Sequence, residues 1–217
     1  NLWFWDAAGK GLQKHEIDKA YFNELMSMRS CEWALKTDPA IGKAIGLWLA
    51  GCFRAESYEV AMPEYFGQGH PDAMTYATTA GPEYLHQALD RALKNKEAFV
   101  ALGVVEALAV NAGTKSLLYQ LGTEQPLAKA LVFDDYKVRY SAAIAIALAL
   151  PTNGFVGSDK IVENLSEAIL EQGADQVGAE LASKYALRSI QAMEKLALTH
   201  NSVVDLSKAL EALVKVS

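Results

Sequence analysis

Asp134 and Asp135 are adjacent carboxylates, and Arg139 follows four residues after the second of them. A carboxylate pair could share a proton or supply two oxygens to a divalent cation, and the arginine could clamp an anionic ligand. The plainer role of the acids is structural. They stand directly ahead of an apolar helical run, where an Asp side chain caps the orphan amides and negative charge suits the positive end of the helix. Glu106 has a different claim: it is the only ionisable residue between Ala98 and Asn111, and Phe99, Gly103 and Val110 share its helix face. A buried carboxylate needs a partner, and Arg91 or Arg139 is the expected one; otherwise Glu106 faces a groove as a ligand contact. His15, His70, His86 and His200 are scattered without HxxxH or HExxH spacing, and no GxSxG elbow is present. Catalytic and metal-binding motifs are therefore missing. The expectation is a protein that is not an enzyme and carries no cofactor.

The elements that would hold these residues belong to an ordinary globular composition. Of 217 residues about half are apolar (51%) and 21% are charged, with a formal net charge of -6. Mild acidity argues against a nucleic-acid phosphate binder, which usually carries a basic face. No apolar run is long enough to cross a bilayer uninterrupted, so no membrane insertion is expected. Cys31 and Cys52 are too few for a disulfide scaffold and read as small core hydrophobes, which favours a reducing, cytoplasmic setting. The chain begins at Asn1 without an initiator Met or a leader-like segment and reads as a piece of a longer protein.

Two regions are expected, 1–80 and 81–217. The first opens with Trp3, Phe4 and Trp5 ahead of Gly9-Lys10-Gly11, rings expected to pack on the first helices. Helices are expected at 17–36 and from Asp38-Pro39 to about residue 59, with Asp38 as N-cap and Pro39 at the first helical position. Residues 60–69, with Pro63, Gly67 and Gly69, read as a linker; His70-Pro71 and Gly81-Pro82 each open a helix. From residue 81 the chain is periodic. Short helices at 84–93, 127–131 and 161–169 alternate with longer ones at 98–111, 138–150 and 177–198. The openings Phe99-Val100, Val138-Arg139 and Val177-Gly178 recur every 39 residues. A period near 40 with two helices per unit marks a helical solenoid. A final helix at 203–216, with Val203, Leu206, Leu210 and Leu213 on one face, is expected to cap it.

The run Leu127, Leu131, Asp135, Val138, Arg139, Ala142 and Ala145 resembles the HEAT repeat, including the bacterial HEAT-like form found in phycobilin lyases. The likeness covers roughly residues 81–198, with Asp135, Val138 and Arg139 as the structural motif. The flanking units keep the period but have Lys96 and Val100, or Ala174 and Gly178, at the Asp and Arg positions. Trp33-Ala34-Leu35, Asp38-Pro39 and Ala44 resemble the junction of a tetratricopeptide repeat over the hairpin 17–59. What the resemblance implies is an all-α protein, a right-handed α-α superhelix with a terminal cap. It also implies that Arg139 pairs with an acid inside the stack. The second helices would line a concave side, where Tyr136, Lys137, Tyr140 and Glu106 are the candidate contacts for another protein or peptide. The rival expectations are a lyase-like HEAT protein handling a small ligand through Glu106, Arg139 and Asp135, and a structural spacer between domains.

Overall fold

Alanine, leucine and the other good helix formers dominate from residue 88 onward, and the chain is mostly helical. The computed structural model describes residues 2–6, 9–59, 71–111, 113–171, 173, 176–204 and 207. Ten helices are described: α1 Phe22–Thr37, α2 Gly42–Ser57, α3 Ala73–Ala80, α4 Pro82–Lys94, α5 Ala98–Asn111, α6 Thr114–Leu117, α7 Pro126–Ala130, α8 Tyr136–Ala149, α9 Lys160–Leu170 and α10 Gln176–Leu198. The expected linker at 60–69 and nearly all of the expected helix at 203–216 lie outside the described residues.

The amino-terminal residues depart most from expectation. Leu2–Asp6 (β1) and Gly11–His15 (β2) pair antiparallel, with Trp3 opposite Lys14 and Trp5 opposite Leu12. Lys10 takes a left-handed φ of 51° in the turn. Alternation puts Trp3, Trp5 and Leu12 on one face, and all three are more than half exposed rather than packed on the first helices. The helix expected from residue 17 starts at Phe22. Asp38 does not cap α2: its amide closes α1 on the Ala34 carbonyl, its carboxylate accepts from the Ala40 amide in a local turn, and α2 begins beyond it at Gly42. Pro71 likewise precedes its helix, which is capped by Asp72 accepting from the Thr75 amide. Pro82, by contrast, occupies the first turn of α4 as expected.

One continuous cluster of buried side chains runs from Leu25 to Val204. The α1–α2 hairpin joins it through α2, which packs on α4 and α5. The approach is close because glycine faces the neighbour: a β-carbon on Gly103 of α5 would lie 2.4 Å from the buried Phe53 ring of α2. Alanine there would gain about 1 kcal/mol of helix propensity. Forcing it against the ring costs about 1–3 kcal/mol, and the ring has nowhere to move. Gly103→Ala is therefore expected to destabilise the fold by up to about 2 kcal/mol in urea titration. Gly154→Ala, which would meet nothing within 4 Å, should unfold as the parent does.

From residue 82 the helices come in pairs, α4 with α5, α7 with α8 and α9 with α10. The first helices α4 and α7 touch each other, and the second helices α5, α8 and α10 lie side by side in that order. Residues 98–111 are almost wholly apolar because four helices, α2, α3, α4 and α8, pack on α5, although Phe99 and Val110 stay exposed. At the end of α4, Lys96 adopts φ 58°, and the Glu97 amide reaches back to the Ala92 carbonyl. The first unit thus has a helix-closing residue where the central unit has the capping Asp135.

Candidate functional site

Asp135 accepts from the backbone amides of Lys137 (2.9 Å) and Val138 (3.2 Å) and so opens α8. Asp134 turns away from it and meets Lys96 Nζ at 3.1 Å on the open surface. The two carboxylates do not converge, so no shared-proton pair forms. Val138 is fully buried.

Arg139 spends its guanidinium on structure. Its Nη1 donates to the carbonyls of Phe133 and Asp134, its Nε to Asn164 Oδ1 (3.1 Å) and its Nη2 to Glu167 (3.3 Å). Asn164, only 3% exposed on α9, in turn donates to the carbonyls of Leu131 and Lys160, both at 2.9 Å. One arginine and one asparagine therefore tie the end of α7, the start of α8 and the body of α9 together. The surrounding cleft, about 420 Å³, mixes Arg139 and Lys160 with Asp134, Glu163 and Glu167. Its cations are already matched.

Glu106 finds neither Arg91 nor Arg139. Its partner is Arg188 of α10, bound through both oxygens at 3.0 and 3.2 Å, and Ser141 of α8 donates a third bond at 2.8 Å. Arg91 instead lines a separate cleft with Glu24, Arg54 and Glu97 near α1 and α2. Burial pushes the Glu106 carboxyl upward, but the bonds from Arg188 and Ser141, with the Arg188 charge, outweigh it and leave the group below its ordinary value. Tyr185 Oη stands 3.4 Å from Ser141 Oγ. Burial also raises the Tyr185 phenol, against the Ser141 bond. This cluster links all three second helices at mid-length.

Tyr140 belongs to the core rather than to a contact surface. It is 3% exposed, edge-on to Tyr185 at 5.8 Å and to Tyr136 at 5.5 Å. Burial, then Glu167 and Glu171, push its phenol up to about 12. Tyr136, on the same helix, is 38% exposed, with the Lys137 ammonium 5.8 Å from its ring centre. At the other end of the row a cleft of about 360 Å³ is lined by Ala109, Gly113, Leu117, Leu148, Arg188 and Lys195, with Lys195 Nζ donating to the Leu148 carbonyl at 2.9 Å.

Ser141, Asn164, Tyr185 and Arg188 are the residues that sequence reasoning did not single out. Ser141 carried a signal, as the only hydroxyl in the otherwise apolar run after Tyr140. Chemically the cluster holds rather than reacts. Ser141 is 1% exposed, and a carboxylate kept below its ordinary range by a guanidinium is a weak base. Among the described residues no group of three or more His, Cys, Asp or Glu is placed to hold a metal ion, and no helix is long and apolar enough to cross a membrane. Compared with family models, curated proteins and solved structures, the chain matches none.

Proposed function

We propose that this chain is a non-catalytic helical-repeat module of the HEAT-like kind, a right-handed α-α superhelix that presents its second helices to another protein or peptide. The 39-residue period and the side-by-side row of α5, α8 and α10 support that arrangement. The observation that carries the binding role is the start of α8. Tyr136 stays exposed there beside Lys137, on a helix fixed by the Asp135 cap, the Arg139–Asn164 ties and the Glu106 cluster. An aromatic ring with an adjacent cation on a rigid helix is a good anchor for a partner's acidic or apolar side chain. Phe99 and Val177, also exposed, extend the apolar character along the openings of α5 and α10.

The test is capture from the source cell by the wild-type chain beside the double variant Tyr136→Ala, Lys137→Glu. Both side chains lie outside the core, so the variant should keep its helical circular dichroism. One specific partner held by the wild type and lost by the variant is the expected result. An unchanged set of partners would remove α8 as the contact surface.

A further inference from the structure

His86 on α4 is fully buried. Its Nε2 lies 2.8 Å from the Ser116 carbonyl, which can only accept, so Nε2 carries the proton and Nδ1 is bare. The ring also lies against Tyr119, with centroids 5.6 Å apart and planes tilted by 27°. Nδ1 is buried without a hydrogen-bond partner. A neutral ring tolerates that arrangement. A protonated one would add a buried N–H donor with no acceptor and a charge with no counter-charge.

The charged groups on the elements around it do not supply one. On α4 Asp90 holds Lys94, and Glu83 is exposed. Glu124 holds Lys129 of α7, Glu106 of α5 holds Arg188, and on α2 Glu56 accepts from the Ala73 amide while Arg54 faces Glu24 and Lys43 is exposed. Lys115, beside Ser116 in sequence, is itself a cation, and α3 carries no charged side chain. Burial pushes the His86 imidazole below its ordinary value, opposed only by the Ser116 carbonyl.

Among the described residues, the hydrogen-bond and ring partners of His86, Ser116 and Tyr119, lie in residues 113–119, which contain α6. The same segment contributes Gly113 and Leu117 to the wall of the cleft at the carboxyl ends of α5 and α8. We propose that His86 is an acid-sensitive latch: neutral, it holds segment 113–119 against α4, and on proton uptake it releases the segment and opens that wall of the cleft. The cleft lies at the opposite end of α8 from Tyr136 and Lys137, on the same row of second helices, and its functional meaning rests on the reading of that row as the binding face.

The sign follows from the bare nitrogen. The exposed ring binds a proton more readily than the buried one, so opening is favoured as pH falls below about 6.5, the ordinary histidine value. Between pH 7.5 and 5.5 the open population should rise about tenfold. The experiment is amide hydrogen exchange on the full chain at those two pH values, corrected for the intrinsic pH dependence of exchange. The wild type is expected to lose about tenfold protection in 113–119. His86→Gln keeps a donor for Ser116 but cannot titrate, and its protection should not change. Equal protection of the wild type at both values, or the same loss in His86→Gln, would overturn the latch. Should the variant fail to fold, the wild-type imidazole nitrogens decide by NMR. A neutral Nε2–H ring in the protected state at pH 5.5 supports the latch, and a ring titrating normally while 113–119 stays protected refutes it. Exchange is read without any partner, so its outcome is independent of the capture experiment.

Discussion

Arg188→Ala is expected to destabilise the fold by about 2–3 kcal/mol at pH 7, lowering the melting temperature by about 5–10 °C. The reason is what stays behind. Glu106 would keep its Ser141 bond but lose a bidentate cation inside a row of apolar helices. Breaking a fully buried pair costs about 3–5 kcal/mol. The side chains of Arg188 and Glu106 are 25% and 32% exposed, so water relieves part of that. The pH dependence separates this account from a simple loss of packing. In the wild type the Glu106 carboxyl lies below its ordinary value, so its contribution is present above about pH 4.3 and is lost as pH falls through the lowered folded value. In the variant burial is opposed only by the Ser141 bond and the Lys184 charge, so the neutral carboxyl is favoured and protonation relieves the folded state instead. The gap between wild type and variant should therefore shrink toward pH 4. Adding Glu106→Gln to Arg188→Ala should recover more than about 1 kcal/mol. A single variant within about 0.5 kcal/mol of the wild type, with no pH dependence, would mark the pair as a loose surface contact.

That pair also shows where reading the sequence stops. Glu106 stood out because one charge in an apolar helix must be answered, and the demand for a partner was legible. Which arginine answers was not, because α10 lies beside α5 only across α8, and Arg188 has no local mark that separates it from Arg91 or Arg139. The limits of α5 were readable in full, 98–111, since a helix packed by neighbours on most sides leaves an apolar run between polar ends. Asp135 was readable for the same local reason: an N-cap depends on the next three amides alone. Asp38 shows the limit of that logic. Asp-Pro favours a turn as well as a helix start, and the chain used it for a turn, three residues before α2. The pairing of 2–6 with 11–15 was missed because three adjacent aromatics suggested burial, although in a strand Trp3 and Trp5 share one face with Leu12 of the partner strand and leave that face open. Tyr140 was a candidate contact that packing between repeats explained equally well, and it is packed. Tyr136 and Tyr140 stand one turn apart on the same side of α8, the first partly open to solvent and the second packed against Tyr185.

Asn164→Ala should cost about 3 kcal/mol, more than its size suggests, because a single amide serves three groups in three elements. Its loss leaves the Leu131 carbonyl without that donor at a buried site, removes the acceptor for Arg139 Nε and opens a small cavity on α9. The unsatisfied carbonyl alone is worth about 1–3 kcal/mol. Urea titration should show the midpoint falling with little change in slope, as for a local loss in a fold that still unfolds as one unit. Arg139→Ala breaks the same node from the other side, so the double variant should cost about 1 kcal/mol less than the two singles added. Strict additivity would mean that Arg139 and Asn164 act independently and that the tie between α8 and α9 lies in apolar packing. The node also bears on binding, because Arg139 holds the Phe133 and Asp134 carbonyls directly ahead of Tyr136 and Lys137. A folded Asn164→Ala chain that captures the partner less well at unchanged contact residues would place the rigidity of that opening, and not only its exposed side chains, in the binding surface.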